Sequence, residues 1–274
     1  MTVILPLSLF ATLDLGFRHQ YWGLNRNLQP PASTAWVPDT KCDPSLLKRP
    51  CLHLASKLRP TVLLIGDSHA SHFSSALIAS GKEMNWNVAV WTLGRCHFQF
   101  LRSKDSEVTD QCLTQNQSIL NWIQYQNPTT IILSQYIKRD SSQSNLREAL
   151  KSLWKVNPNI LIIENTPVFP DGKDFMVQRP LILSPYKPAK TFRLSEMSIE
   201  DRKASDLFSK WARNIGISTV NFESLFCKGG ICTRYSKGKW LYADSDHLSI
   251  EGAALTIPIF TSYLKTFEHS HIDF

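Results

Sequence analysis

From Pro60 onward the chain alternates short apolar runs with amphipathic stretches, and few architectures tolerate that alternation. Thr61-Val-Leu-Leu-Ile65 is a run of strand length that ends at Gly66. Similar runs recur at Trp86 to Thr92, Thr129 to Ser134, Asn159 to Glu164 and Ile217 to Asn221. The first is apolar from Val62 to Ile65, as a strand covered on both faces must be. Between the runs lie segments of helical period. These are His72 to Met84, Leu146 to Val156 (Leu146, Leu150, Leu153, Trp154) and Ile199 to Ile215 (Leu207, Phe208, Trp211, Ile215). Strands alternating with helices predict parallel βαβ units, hence an α/β fold whose sheet is covered on both faces. Sheets of this kind place ligands at the carboxyl ends of their strands.

With 274 residues, 43% of them hydrophobic, the chain can build one large domain with a core. The division expected is a lead-in over residues 1–58 and a main domain over 59–274. A charged fraction of 19% argues against a disordered chain. The formal charge of +7 favours anionic partners. Basic residues are scattered, with only short clusters such as Lys138-Arg139, so nucleic acid is not an expected partner.

The six cysteines fall into local pairs: Cys42 with Cys51, Cys96 with Cys112, and Cys227 with Cys232. None is spaced as CxxC, and no histidine cluster accompanies them, which speaks against a zinc site. No metal and no cofactor is expected. Disulfides within each pair are the simplest scheme, and they imply an oxidising compartment. Reduced core cysteines are the alternative. Met1 to Ala11 is apolar but interrupted by Pro6 and lacks a positive leader. It reads as a poor signal, the stub of a membrane helix, or a buried segment.

Two motifs carry chemistry. In Leu64-Ile65-Gly66-Asp67-Ser68-His69-Ala70 a buried strand runs into a helix start. A serine there can attack a carbonyl while nearby backbone N–H groups hold the oxyanion. The competing reading is a plain helix cap, since Asp and Ser are favoured caps. The second motif is Tyr242-Ala-Asp244-Ser-Asp246-His247-Leu-Ser-Ile-Glu-Gly252. A serine nucleophile needs a base, and the base needs an acceptor to orient it. His247 and Asp244 supply both from one turn; capping of the helix after Ser249 by Asp244 or Asp246 is the competing reading.

Together these motifs resemble the SGNH hydrolase superfamily. More closely, they resemble the SGNH domains fused to, or working beside, membrane acyltransferase-3 proteins that O-acylate bacterial surface polysaccharides. The resemblance runs over roughly residues 40–266. It is carried by Gly66-Asp-Ser-His-Ala70, the Cys227 to Cys232 loop, Leu241 to Ala253, and Glu164-Asn-Thr-Pro-Val-Phe169 as the exit of the fourth strand. It implies a three-layer α/β/α sandwich with a parallel, flavodoxin-like sheet and a triad of Ser68, His247 and Asp244. It also implies an acyl donor, a carbohydrate acceptor, a membrane acyltransferase domain or partner, and a periplasmic or other extracytoplasmic place. The oxyanion hole implied is Ser68 with Gly94, the glycine after the second strand. The family's Asn after the third strand is missing from Ser134-Gln135-Tyr136, where Gln135 is the substitute on offer.

Other residues are more ambiguous. His69, beside the serine, reads as a structural or pocket-wall residue. Arg95, Arg179 and Lys187 could meet anionic sugars or be solvated surface. Trp122, Trp154 and Trp211 read as core. The stretch Pro167 to Ser195, with five prolines, reads as a long functional loop. The implied reaction is O-acylation, most simply O-acetylation, of a polysaccharide hydroxyl. An O-acetylesterase is the alternative. So is a degenerate glycan-binding module, whose mark would be a Ser68–His247 separation too long for a hydrogen bond. A phosphate- or nucleotide-binding domain finds no glycine-rich motif to support it.

Overall fold

All five apolar runs form strands. In the computed structural model, which describes residues 49–54, 56, 59–100, 109–138, 142–170, 190–196 and 198–267, they are β2 (Thr61–Gly66), β3 (Asn87–Thr92), β4 (Thr130–Ser134), β5 (Ile160–Ile163) and β7 (Ser218–Val220). Their parallel order is β3-β2-β4-β5-β7. Alternate side chains along β2 enter two cores: Val62 and Leu64 face one side, Leu63 and Ile65 the other. This double burial is why the run carries no polar residue after Thr61.

The sheet is not wholly parallel. β1 (Cys51–His53) adds an antiparallel edge beside β3, with Cys51 opposite Val90. This short strand lies inside the expected lead-in. Its central Leu52 is 45% exposed, so it has no continuous apolar run to announce it.

Helices cover both faces. α2 (Ser74–Met84) and α8 (Ile257–Lys265) share the first core through Ala76, Leu77, Phe260 and Leu264. α3 (Asp110–Gln126), α4 (Ser142–Val156) and α5 (Ile199–Asn214) cover the second through Ile119, Ile123, Leu146, Leu150, Leu153, Phe208 and Ala212. α3 escaped the sequence reading because its buried face includes Gln115 and Asn116. Asn116 Nδ2 donates to the carbonyls of His97 and Gln99, both at 2.8 Å. Trp122 and Trp211 pack against this core, but Trp154 is 44% exposed and Leu207 61%. Each adjoins a buried residue, Leu153 or Phe208, and neighbours on a helix point about 100° apart.

The disulfides Cys96–Cys112 and Cys227–Cys232 form as expected. The second bridges β8 (Cys227–Lys228) and β9 (Ile231–Thr233), which form a small sheet with β6 (Thr191–Arg193). Arg234, just past β9, is fully buried with its guanidinium 5.1–5.8 Å from the ring centroids of Phe169, Phe192 and Trp240. Cys42, Arg179, Lys187, Met1 to Ala11 and most of the 1–58 lead-in and of the Pro167–Ser195 stretch lie outside the described residues. Among the described residues no helix is long and apolar enough to cross a membrane.

Candidate active site

Gly66 ends β2 at φ +139°, and a Cβ there would lie 1.7 Å from the Ser134 carbonyl oxygen. Only glycine lets β2 turn this close to β4. The helix that follows is shorter than the sequence suggested. α1 (Ser68–Ser71) stops at His72, and α2 starts afresh at Ser74. Asp67 is the cap of α1, its Oδ1 accepting the His69 N–H at 2.8 Å. Its other oxygen accepts the Tyr136 N–H at 3.0 Å and lies 3.5 Å from His97 Nε2. The capping reading is therefore right for Asp67, and it leaves the Ser68 hydroxyl available.

His247 Nε2 lies 2.8 Å from Ser68 Oγ. This is the hydrogen bond that a degenerate module would lack. His247 Nδ1 lies 2.8 Å from Asp244 Oδ2. The second Asp244 oxygen accepts the backbone N–H of Asp246 at 3.0 Å and of His247 at 2.7 Å. One carboxylate thus folds the turn and aims the ring. Neither Asp244 nor Asp246 caps the next helix, α7 (Ile250–Ala254). Ser249 does so, its Oγ accepting the Gly252 N–H at 3.1 Å. Gly252 is itself required, because a Cβ would meet the Leu241 carbonyl oxygen at 1.9 Å.

A family model described as "SGNH domain (fused to AT3 domains)" matches residues 38–262. The chain belongs to the SGNH domain family. As such it is an enzyme of the serine acyltransferase and esterase type. Among solved structures it is similar to the periplasmic domain of a Salmonella ser. Paratyphi A lipopolysaccharide acetyltransferase. The two share 16% identity at a TM-score of 0.58, covering 80% of this chain and 86% of that one. A family two carbohydrate esterase of Clostridium thermocellum, solved as an active-site mutant, matches at 12% identity and a TM-score of 0.45, over 77% of this chain and 64% of that one. The catalytic domain of Streptococcus pneumoniae peptidoglycan O-acetyltransferase A matches at 16% identity and 0.42, over 77% and 95%. At 16% identity the likeness to the Salmonella domain is one of fold. No curated protein sequence matches the chain.

The other expected SGNH residues follow the strands beside β2. Gly66 pairs with Thr92 across β2 and β3, so Ser68 and Gly94 each follow by two residues at the same sheet edge. Gly94 is exposed and lies outside the positive-φ region, and nothing stands within 4 Å of a Cβ built on it. Arg95 beside it is exposed, with a φ of 60°. Gln135 is buried, and its Oε1 accepts the Phe98 N–H at 2.8 Å. That bond ties the loop after β4 to the loop carrying Gly94, so only its NH2 is left for an oxyanion.

Several supporting residues had no clear signal in the sequence. Asn165 clamps Ile137 from both sides, Oδ1 accepting its N–H at 2.9 Å and Nδ2 donating to its carbonyl at 2.8 Å. The Phe169 N–H donates to the Ser245 carbonyl at 2.8 Å, joining the β5 exit to the His247 turn. Asp246 places Oδ1 3.1 Å from His247 Nδ1 and Oδ2 3.6 Å from His69 Nε2. Burial opposes charge on His247, but its bonds to Asp244 and Asp246 prevail and its pKa is pushed up to about 10. The nitrogen and carboxylate oxygen atoms of His69, Asp246 and His247 lie within 4.8 Å of one another. Ser68 and Asp244 already engage both ring nitrogens of His247, so a cation there would have to displace one of these two bonds.

Proposed function

We propose that this chain is an O-acyltransferase, most simply an O-acetyltransferase, acting on a hydroxyl of a bacterial cell-surface polysaccharide outside the cytoplasm. The observation that carries the reading is the unbroken series Ser68 Oγ, His247 Nε2, His247 Nδ1 and Asp244 Oδ2, each contact 2.8 Å long. The fusion of family members to AT3 domains supports a membrane acyltransferase domain or partner as the source of the acyl group.

His247 takes the Ser68 proton as Oγ attacks the acyl carbonyl. The tetrahedral oxyanion lies against the N–H groups of Ser68 and Gly94, with the Gln135 NH2 as a third donor. Collapse expels the donor's leaving group, which receives the proton from His247, and leaves an acyl-serine. A sugar hydroxyl then gives its proton to His247, attacks the acyl carbonyl and carries the acyl group away. Ser68 recovers its proton. Water in place of the sugar turns the same cycle into ester hydrolysis.

A sulfonyl fluoride should add one sulfonyl group to Ser68, read by peptide mass spectrometry, and Ser68→Ala should remove both the adduct and acetyl transfer to a glycan. Labelling elsewhere, with transfer undiminished in Ser68→Ala, would sink the proposal. Gly94 offers a second check. Its conformation does not require glycine, so the open space above it is left for the reacting carbonyl. Gly94→Ala should therefore lower kcat/KM about tenfold or more through misplacement of that carbonyl, with an unchanged melting temperature. A variant as active as the parent would remove Gly94 from the oxyanion hole.

A further inference from the structure

A serine–histidine base needs one carboxylate, yet His247 faces two. Asp244 Oδ2 is 2.8 Å from Nδ1 and Asp246 Oδ1 is 3.1 Å away. Asp246 is also fixed in place. Its N–H donates to Asp244 Oδ1 at 3.0 Å, and its carbonyl accepts the Thr166 hydroxyl at 3.4 Å. The remaining carboxylate oxygen points to His69 Nε2 at 3.6 Å.

His69 is itself held on every side. It is 5% exposed. Its carbonyl accepts the Ser134 hydroxyl at 3.1 Å. Its ring lies between Tyr136 and His247, 4.8 Å from each centroid and only 18° from the plane of Tyr136. Tyr136 is anchored in turn by its hydroxyl, which donates to Asp201 at 2.7 Å. So the residue after the serine is neither nucleophile nor base, but it is built rigidly against the one carboxylate that an ordinary triad does not use.

We propose that Asp246 is a second positioning acceptor for the His247 Nδ1 proton, and that His69 holds Asp246 in that place. The inference rests on the acyl-transfer reading of Ser68 and His247. Two carboxylates on one imidazole make it a stronger base and fix its plane more firmly than one can. The groups facing this pair are Asp244 on the same turn, Ser68, His69 and His72 from the segment after β2, Tyr136 from the loop after β4, and buried Tyr242. Burial disfavours the charge on Asp246, but its contacts with His247 and His69 outweigh burial and keep it ionised.

The test is an NMR titration of the His247 imidazole in the full chain, run beside Ser68 sulfonylation across pH. Asp246→Asn keeps the shape and removes the charge. His69→Phe keeps the stacked ring and removes Nε2. Asp246→Asn should lower the His247 midpoint by about one pH unit or more. His69→Phe should shift it the same way by less, and should add nothing in the double variant. The rising limb of the sulfonylation rate should move with the midpoint. A role confined to packing would lower the rate with the midpoint unmoved, and that result would overturn the pairing. A His69→Phe midpoint that rises would also overturn it, by showing that His69 repels the His247 charge instead of holding Asp246. Intact Ser68 labelling without a shift sinks this pairing alone; a shift without Ser68 labelling sinks the acyl-transfer reading alone.

Discussion

Replacing His247 with Ala is expected to lower acyl transfer about 10^4-fold or more, despite two further imidazoles close by. The His69 and His72 rings lie 4.8 and 6.1 Å from that of His247. Neither can take its place. His69 turns Nε2 to Asp246 and is pinned between two rings. His72 is fully buried, and its Nδ1 accepts the Leu248 N–H at 3.4 Å. Burial first, then the neighbouring His69 and His247, hold its pKa well below the ordinary value, so it is a weak base as well as a misdirected one. The parent enzyme should also show a distinct pH profile. As the proposed base, His247 can take the serine proton only when neutral, and its bonds to Asp244 and Asp246 push its pKa up to about 10. The acylation rate should therefore climb about tenfold per pH unit through the neutral range, levelling only on the alkaline side. Stability should run the other way. A histidine whose pKa rises on folding, here from 6.5 to about 10, stabilises the fold most below pH 6.5 and loses that contribution as the pH climbs toward 10. Melting temperatures measured across that window should fall more steeply for the parent than for His247→Ala. A variant that keeps its activity would show that another group serves as the base.

Much of this site was legible in the sequence because each part leaves a local mark. Strand β2 is buried on both faces beyond Thr61, so it contains no other polar residue, and Gly66 marks the point where the backbone must pass a neighbouring carbonyl. The Asp244–His247 spacing closes one turn, and a turn is a short-range event. Other parts leave no such mark. β1 is three residues long with an exposed centre, and it pairs with a strand more than thirty positions later in the chain. α3 buries amides to hold a loop, and amides do not read as a core face. The break between α1 and α2 falls at His72 and Phe73, two residues of helical backbone with no proline or glycine to announce it. Asp246 looked like a spare cap because its partner, His69, lies far away in the chain, and only the fold brings them together. Gln135 was visible as a departure from the family, yet its bond to Phe98 N–H depends on how two loops at separate strand ends meet.

Asp67 is where that meeting of loops is most exposed to a single change. Replacing it with Ala is expected to cost on the order of 3 kcal/mol of stability and to lower kcat/KM about 100-fold. The carboxylate is 2% exposed and accepts one N–H from the segment after β2 and another from the loop after β4. His97, from the loop after β3, stands 3.5 Å away. Truncation leaves the buried His69 N–H and the part-buried Tyr136 N–H without an acceptor and removes the group around which three strand exits converge. Ser68, Gly94 and Gln135 each belong to one of those exits, so the proposed nucleophile and its proposed oxyanion donors lose their common reference point. Asp67→Asn separates the two losses. The amide oxygen can still accept from one backbone N–H, but its NH2 then faces the other donor, so one cap survives and the second bond becomes a repulsion. Its stability should fall between the parent and Asp67→Ala, while its activity should stay close to that of Asp67→Ala. Chemical denaturation alongside steady-state kinetics on the three proteins measures both quantities. An Asp67→Asn enzyme with parental kcat/KM would mean that the strand exits hold their register without this carboxylate, through the Cys96–Cys112 bridge and the Gln135–Phe98 bond alone.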